Sequence, residues 1–359
     1  MSFVIVGAGC AGLSLAVHLL DAGETRPIAI VDGRTRFDDD RTWCGFRMDP
    51  HPFEACIAHT WHAWKVAYRS ESTHRSERHP YVHIPAKAFY DFALQRLERA
   101  PNVELHFGVS ARDLGSGSVD TSRGTLRGDW VFDSRATPMN DGLRQHFRGF
   151  FVHTEQPVFD ADAMTMMDFR VPQDRGIRFV YVLPFDAHHA LVEDTFVTTD
   201  TFPIDESALE HVLGDTAFTI DREERGCIPM SARAVAESPA RTLRIGTGGG
   251  VVKPSSGYAF EFIQRHSADI VRALRAGEAP KPYARALWMD QVMLEVLQSR
   301  PDWAPELFVG LFRNNDPNRL VRFLMERSSP RDALAIMRSL PATPFMRAAL
   351  RAMARGVRA

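Results

Sequence analysis

The first thirty residues carry the pattern that most restricts the fold of this chain. An apolar run at residues 3–6 breaks into six small, glycine-rich residues, and residues 13–20 have the composition of a packed helix. A second apolar run ends at Asp32, twenty residues after the last of these glycines. A strand, a glycine turn, a helix and a second strand closed by an acid are the context in which GxGxxG is informative. The chain is therefore predicted to be an α/β protein with a Rossmann-like unit that binds a dinucleotide.

Each glycine of this turn has its own predicted role. Gly7 permits the tight bend, Gly9 lets the backbone approach a pyrophosphate, and Gly12 lets the helix pack closely on the strand. The pyrophosphate would lie at the helix N-terminus, where unpaired N–H groups and the helix dipole favour an anion. Asp32 would accept hydrogen bonds from a ribose. The predicted cofactor-binding residues of this unit are Gly7, Ala8, Gly9, Cys10, Ala11, Gly12 and Asp32.

The bulk composition argues against several other classes of protein. A formal net charge of −2 provides no field that would attract nucleic acid. The four cysteines have no CxxC or Cys/His spacing, so we expect no disulfide scaffold and no metal site. No apolar run approaches the roughly 20 residues that cross a bilayer, and the first strand begins too early for a signal peptide. We expect a cytoplasmic protein that is soluble or lies on a membrane surface.

Later segments are predicted to return to the first sheet. Residues 127–136 and 242–250 each resemble a buried strand that runs into small residues, whereas residues 148–235 alternate like antiparallel strands. From about residue 281 the apolar spacing is helical. The predicted division is a discontinuous cofactor domain (1–50, 80–140 and 240–275), an antiparallel-sheet substrate domain (51–79 and 141–239) and a helical C-terminal region (276–359).

This organisation favours FAD over NAD as the dinucleotide. Nicotinamide dehydrogenases commonly continue through regular βα units, but here a long excursion follows Asp32 and an antiparallel insert divides the sheet-forming segments. The late glycine cluster at 246–250 can offer backbone N–H groups to a second part of an extended cofactor. We assign four further residues to cofactor binding, namely Arg41, Gly248, Gly257 and Tyr258.

Several motifs occur in order along almost the whole chain. They are DRTW at 40–43, MDFR at 167–170, FVYVLP at 179–184, VEDT at 192–195, PSSGY at 254–258, LF at 311–312 and RFL at 322–324. In this set the chain resembles the lycopene β-cyclase family of the bacterial, FAD-dependent type. The resemblance implies a FAD-binding fold of the glutathione-reductase type with an antiparallel substrate domain.

The resemblance also implies a reaction. Members of that family convert the acyclic ends of lycopene into β-ionone rings, giving γ-carotene and β-carotene, without net redox change. A proton adds to the terminal double bond, the neighbouring alkene attacks the cation, and a ring proton is lost. FAD would act in its reduced form, with NAD(P)H as reductant, and the substrate would be lycopene or a related acyclic carotenoid.

Two other functions stay open on the sequence alone. A FAD-dependent monooxygenase or other oxidoreductase acting on a lipophilic isoprenoid would share the same cofactor domain. A flavin-binding carotenoid carrier would share it without any turnover. The oligomeric state is also open.

Two carboxylates are the predicted catalytic residues. Protonation of an alkene requires an acid in a dry site, and Glu193 lies among apolar residues, where a carboxyl tends to stay protonated. The resemblance assigns catalysis to this Glu of the VEDT motif; the alternative is a solvent-exposed strand charge. Asp194 should face the opposite side of the strand, paired with Arg170 or Arg178. Asp168 is the second candidate, for which a salt bridge is the alternative.

Aromatic residues near these motifs are predicted to bind the polyene. Aromatic π faces attract cations, although most large aromatic side chains belong to protein cores. The candidates are Trp43, Phe46, Phe169 and Tyr181. Lys253 is a further candidate for approaching the flavin, with an exposed lysine as the alternative.

The last 29 residues contain six arginines and one acid, Asp332. Apolar residues recur there at helical spacing: Met346, Leu350, Met353 and Val357, beside Arg347, Arg351, Arg355 and Arg358. Such a basic amphipathic helix can lie in an anionic membrane surface. A helix that packs its apolar stripe on the protein body is the alternative.

Overall fold

A computed structural model describes residues 2–136, 142–232 and 235–356 of the chain. The first strands are β1 (Phe3–Val6), β2 (Ile28–Asp32), β3 (Thr42–Phe46), β4 (His59–Trp61), β5 (Ala63–Ala67), β6 (Glu71–Arg75), β7 (Tyr81–Pro85), β8 (Val103–Phe107) and β9 (Ala111–Gly115). The later strands are β10 (Ser118–Thr121), β11 (Gly124–Arg127), β12 (Trp130–Asp133), β13 (Leu143–Thr154), β14 (Ala163–Asp168), β15 (Ile177–Pro184), β16 (His189–Thr198), β17 (Phe218–Met230) and β18 (Thr242–Arg244). The helices are α1 (Cys10–Asp21), α2 (Ala86–Glu98), α3 (Ser207–Leu213), α4 (Phe260–Arg275), α5 (Trp288–Ser299), α6 (Ala304–Arg313), α7 (Pro317–Leu324), α8 (Pro330–Ser339) and α9 (Ala342–Gly356).

The predicted α/β unit is present as a parallel sheet. Its strand order is β18-β12-β1-β2-β8, and each neighbouring pair is parallel. The two later segments that are predicted to rejoin the sheet form β12 and β18. Strand β12 lies next to β1, and β18 lies next to β12. Helices α1, α2 and α4 cover this sheet with a buried apolar core that includes Leu13, Leu15 and Phe262. The carboxyl ends of β1 and β2 therefore lie beside the N-terminus of α1, where the glycine turn is.

A second, larger sheet runs in the order β17-β13-β16-β15-β14-β5-β6. Within the segment predicted to be antiparallel, β15 and β16 form a hairpin, with Tyr181 directly opposite Glu193. The sheet is not wholly antiparallel, because β14 and β5 pair in parallel. The pairing of β13 with β17 shifts register between Phe151 and Val152, where Asp221 is an extra residue on β17. A small sheet, β3-β7-β4, connects this region to the parallel sheet.

The large sheet has two buried faces with different covers. Helix α3 packs against one face, in a small core that includes Phe150, Val182 and Val192. The C-terminal helices cover the other face, in a core that includes Leu191, Leu307 and Leu311. Since adjacent residues of a strand point to opposite faces, each strand contributes side chains to both cores.

The predicted helical region begins at Trp288, where α5 starts, and continues to the end of α9. Helix α9 packs on the body through Phe345, Ala348, Ala349 and Ala352. Its other apolar stripe faces outward: Met346, Leu350 and Met353 are 59%, 68% and 54% exposed. The alternative expectation, that the stripe packs on the protein body, is therefore wrong for these three residues. Val357 and Arg358 lie outside the described residues.

Across the described parts of the chain, none of the helices combines the length and the apolar character that crossing a membrane requires.

Candidate active site

A cavity of about 780 Å³ lies between the large sheet and the C-terminal helices, and it reaches Thr247 of the later glycine cluster. Its walls come from β13–β17, from β3 and β7, from residues 252–260 and from helices α5, α6 and α7. The volume lies in the range that is typical of small-molecule sites. The cavity thus brings sequence-distant motifs to one place.

The glycine turn has the geometry that a bound pyrophosphate requires. Gly7 has φ +94°, and Gly12 lies so close to Gly7 that a Cβ would stand 1.9 Å from the Gly7 carbonyl oxygen. By contrast, a Cβ on Gly9 would meet no atom within 4 Å. The turn and the helix–strand contact therefore need Gly7 and Gly12 for packing, while Gly9 borders open space at the N-terminus of α1. The residues fit an adenine dinucleotide.

Asp32 ends β2 as predicted, and its carboxylate is held in place by neighbours. The Ala8 N–H donates to Oδ2 at 2.7 Å and the Arg34 N–H donates to Oδ1 at 2.8 Å. The Arg34 guanidinium also bonds both oxygens, at 3.2 and 3.1 Å. Burial opposes ionisation, but these hydrogen bonds prevail and lower the pKa of Asp32. Arg34, which we did not identify from the sequence, stands next to the predicted ribose ligand.

The later glycine cluster has a packing role at Gly248. A Cβ there would lie 2.1 Å from the carbonyl oxygen of Arg135, so the glycine allows two backbone segments to touch. Gly257, with φ +75°, and Tyr258 both line the cavity. Lys253 is buried rather than exposed, and its Nζ lies 3.1 Å from an Asp290 carboxylate oxygen.

Glu193 faces the cavity from the middle of β16. The strand is buried from residue 190 to residue 197, which is the apolar setting that the sequence indicated. Thr195 Oγ1 donates a hydrogen bond of 2.7 Å to Glu193 Oε1. Burial raises the pKa of Glu193 to about 8, and the nearby Glu224 carboxyl contributes to the rise. At neutral pH this carboxyl therefore carries a proton that it can donate.

Glu224, on β17, is a second cavity-lining carboxyl that we did not identify from the sequence. Thr42 Oγ1 donates to its Oε2 at 2.7 Å, and Arg222 lies 3.5 Å from the same oxygen. Burial raises the pKa of Glu224 despite the opposing bond from Thr42. The sequence signal that could have indicated this carboxyl is the pair of adjacent glutamates, Glu223 and Glu224. Without knowing how β17 pairs, however, the sequence could not say which glutamate faces inward.

Three tyrosines and a cysteine cover the part of the cavity next to these carboxyls. The hydroxyls of Tyr181 and Tyr81 are 3.0 Å apart, and Tyr258 lies beside Tyr81 with ring centroids at 6.3 Å. Burial raises the pKa of each of these tyrosines and of Cys44, so all four side chains stay neutral. Apart from Glu224, the residues named here make this part of the cavity wall largely aromatic and neutral.

Asp168 lies elsewhere. It bonds the Arg170 guanidinium at 2.9 and 2.7 Å and His211 Nε2 at 3.1 Å. Burial would favour the neutral form, but these partners hold the pKa of Asp168 far below its usual range. Asp168 is not one of the described residues that line the cavity. The structure gives it the salt bridge that was the alternative, and we do not carry its catalytic role forward.

Asp194 faces the opposite side of β16 from Glu193, as predicted. Arg178 bonds both of its carboxylate oxygens, at 2.9 and 2.7 Å, and this buried pair is also bonded to Ser207. Of the two expected partners, Arg178 is the one that the structure confirms. The two adjacent carboxyls therefore have separate surroundings.

The four aromatic candidates occupy two kinds of position. Tyr181 and Trp43 line the cavity, although Trp43 also packs on Phe89 at a centroid distance of 4.7 Å. Phe46 and Phe169 are almost fully buried behind the wall and are not among the described residues that line it. Arg41, the remaining cofactor candidate, lies at the cavity and pairs with Asp40 at 3.1 Å.

Solved structures with the same fold include monooxygenases and a reductase-like protein, as their names state. The p-nitrophenol 4-monooxygenase PnpA of Pseudomonas putida superposes with a TM-score of 0.58 at 14% identity, covering 97% of this chain and 96% of that one. A geranylgeranyl bacteriochlorophyll reductase-like protein of Thermoplasma acidophilum gives a TM-score of 0.56 at 12% identity, covering 98% and 95%. The probable FAD-dependent monooxygenase PqsL of Pseudomonas aeruginosa gives 0.52 at 13%, covering 91% and 99%. These likenesses show a Rossmann-type fold of the FAD-dependent monooxygenase and reductase kind.

Sequence relatives point to a narrower group. The lycopene beta-cyclase of Pantoea ananas is 25% identical, with 98% of this chain and 97% of the relative covered. That of a Paracoccus species is 30% identical, with 76% and 73% covered. A family model described as lycopene cyclase protein matches residues 2–350. With nearly its whole length matched and the motif glutamate facing the cavity, the chain belongs to the lycopene cyclase family.

Proposed function

We propose that this protein is a lycopene β-cyclase that uses reduced FAD to form β-ionone rings at the acyclic ends of lycopene, giving γ-carotene and β-carotene. One observation carries the proposal: in a chain of this family, Glu193 is a buried carboxyl that faces the apolar cavity and has a pKa of about 8. A proton-initiated cyclisation needs such an acid in a site that excludes water.

The cofactor would be held by the glycine turn and its neighbours. The open space beside Gly9 and the N-terminus of α1 suit the pyrophosphate, and Asp32 with Arg34 suits the ribose. Tyr258 and Gly257 lie where the cavity meets the cofactor region. When bound, reduced FAD would supply negative charge close to the carbocation. We propose NAD(P)H as the source of the electrons that keep it reduced.

The chain's own residues account for the remaining steps. Glu193 donates its proton to the terminal double bond of the polyene, and Thr195 fixes the carboxyl through its hydrogen bond. The faces of Tyr181 and Tyr258 stabilise the positive charge by cation–π interaction. Burial keeps these two side chains neutral, so they offer aromatic faces to the polyene.

The membrane surface is the proposed source of the substrate, since an acyclic carotenoid is insoluble in water. Besides the outward stripe of Met346, Leu350 and Met353 on α9, helix α8 exposes Leu334 and Met337, which are 44% and 46% exposed. Arginines at 347 and 351 flank this apolar patch. Exposed apolar residues beside cations suit an anionic lipid surface, so we propose a cytoplasmic protein that binds the membrane peripherally.

A FAD-dependent monooxygenase acting on a lipophilic isoprenoid is the second candidate, because proteins with this name share the fold. Incubation with lycopene and chemically reduced FAD under nitrogen separates the two. We expect cyclic products with the mass of lycopene, and none with oxidised FAD. An absolute need for oxygen, or a product heavier by one oxygen atom, would instead support the monooxygenase. A bound polyene that is never converted would indicate a carrier.

A further inference from the structure

Two glutamates on different strands share one face of the large sheet. Gly149 on β13 is paired on one side with Glu193 on β16 and on the other side with Glu224 on β17. Directly paired residues point to the same face, so both glutamates flank a position that has no side chain. Two strand spacings separate their backbones by about 9–10 Å.

Gly149 leaves room above the sheet for side chains from both neighbouring strands. A Cβ on Gly149 would stand 2.9 Å from Leu191 Cδ1, 3.1 Å from Glu224 Cγ and 3.6 Å from Glu224 Oε1. The side chain of Glu224 therefore leans over Gly149, towards the strand of Glu193. Any larger residue at position 149 would push against Leu191 and Glu224. The glycine is needed here for this room, since it is not a residue with positive φ.

The hydrogen bonds leave the two acids in different states. Thr42 and Arg222 both approach Oε2 of Glu224, which favours its ionised form. Among the described residues, the hydroxyl of Thr195 is the hydrogen-bond partner that the Glu193 carboxyl has. Since the charge of Glu224 raises the pKa of Glu193, the two carboxyls of this dry site do not ionise together, and one of them keeps its proton. Of the two, Glu193 is the one that retains it.

We propose that Glu193 and Glu224 act as one acid–base pair across Gly149, in which Glu193 donates the proton that starts ring closure and Glu224 accepts the proton that ends it. This inference rests on the proposed cyclase activity. The π electrons of the terminal alkene take the proton of Glu193 as a new C–H bond, and the neighbouring alkene closes the ring with a C–C bond. A ring C–H bond then breaks, its electrons form the ring double bond, and its proton goes to the Glu224 carboxylate.

The pair is ready for another turnover once Glu224 has released its proton and Glu193 has regained one. No electrons are gained or lost, and each proton that is donated is recovered. The charged and titratable groups that face the pair belong to several elements: Arg222 on β17 with its ion-pair partner Asp39 before β3, Tyr181 on β15, Cys44 on β3, Tyr81 on β7 and Tyr258 before α4, with Asp194 and Arg178 on the opposite face of the sheet.

Glu224→Gln tests the pair, with Glu223→Gln as the matched control. Glu223 is the adjacent glutamate on the other face of β17, where it pairs with Arg148 at 3.0 Å. With reduced FAD and lycopene, Glu224→Gln should lower the turnover rate by about 10²-fold or more, as expected for loss of a general base. Its remaining activity should fall at a lower pH than in the wild type, since Glu193 loses the repulsion that keeps its proton. The control should match the wild type in both measurements.

A second measurement does not depend on turnover. Infrared spectroscopy of the protein alone, from pH 5 to pH 10, reports the carboxylic acid C=O band of the protonated acid. Burial raises the pKa of Glu261 to about 7, so the Glu193 component of the band is taken as the difference from Glu193→Gln. That component should titrate at lower pH in Glu224→Gln and stay unchanged in the control. If lycopene is not cyclised by the wild type but the band behaves in this way, the pair stands and the cyclase function fails.

Two results would contradict the pair: a Glu224→Gln variant with the wild-type rate and pH profile, or a carboxylic acid band that titrates at the same pH in this variant as in the wild type. Should Glu224→Gln fail to fold, Glu224→Asp keeps the charge and shortens the side chain. We then expect a smaller loss of rate together with a shifted band, and an unshifted band would equally contradict the pair.

Discussion

Individual carboxyls have different tasks even where they are adjacent in the sequence. Glu193→Gln preserves shape and hydrogen bonding but has no proton to donate, so cyclisation should fall by about 10²-fold or more. The comparison is Asp194→Asn, which weakens the buried ion pair with Arg178 and should lower the melting temperature while sparing the chemistry. Product formation by folded, flavin-loaded variants with chemically reduced FAD measures this directly. Near-normal turnover in Glu193→Gln would remove this residue as the acid.

The raised pKa of Glu193 also predicts how stability depends on pH. Its pKa rises on folding from 4.5 to about 8. The folded state therefore holds this proton more tightly than the unfolded state does, and the stabilisation is present below about pH 4.5 and lost as the pH rises to 8. Glu193→Gln should have a melting temperature that exceeds the wild-type value by several degrees at pH 8.5, and by much less at pH 5. A difference that does not change with pH would contradict the buried, protonated state.

A substitution at Gly9 tests whether the glycine turn binds the cofactor. Gly9→Val places a branched side chain in the open space at the N-terminus of α1, so bound flavin should be lost while the fold persists. Gly310→Val is the control, since a Cβ at Gly310 meets only Asn314 within 4 Å, at 3.9 Å. The visible flavin absorbance of each purified variant is the measurement. A normal flavin spectrum in Gly9→Val would exclude this turn from the cofactor site.

Among the elements, α9 has two apolar faces with different neighbours. Replacing the outward residues Met346, Leu350 and Met353 by Ser removes exposed apolar area without touching the packed face, so binding to anionic liposomes should weaken strongly. Arg347→Ser should cost about 1 kcal/mol of binding, and only at low salt. Liposome sedimentation provides the measurement, and Val158→Ser with Phe218→Ser provides the control on other exposed apolar residues. Unchanged binding in the α9 variant would mean that this patch does not contact lipid.

Elements with a strong local pattern were predictable from the sequence. The β1–α1–β2 unit and the β15–β16 hairpin follow from apolar periodicity and turn residues within short segments. The facing of Glu193 and Asp194 was predictable too, because alternation along a strand is a local property. The inward position of Glu224 was not, since it depends on the pairing of β13 with β17 about 75 residues away. Phe46 and Phe169 show the same limit, because only packing decides whether an aromatic ring lines a cavity or supports its wall.

Over the whole molecule, the reaction site combines a cofactor region with an acid from another sheet. The proposed chemistry is a proton transfer with no net electron flow, so NAD(P)H should be required to reduce the flavin yet oxidised far below one equivalent per ring formed. Parallel measurement of NAD(P)H absorbance and carotenoid products under nitrogen gives this ratio, and free flavin with NAD(P)H provides the background. One equivalent per ring would contradict a non-redox mechanism.

The irregular pairing of β13 with β17 makes the reactive glutamate a matter of residue counting. Asp221 is the extra residue in this pairing, and side chains on its two sides follow different alternations. Counted regularly from Ile220, which pairs with Val152, the alternation would place Glu223 in the cavity; the extra residue gives that position to Glu224. Deleting Asp221 would make the pairing regular without turning either half of the strand, because Arg222 stays opposite Phe151 and Ile220 stays opposite Val152. One additional residue thus decides which of two identical neighbours meets the substrate.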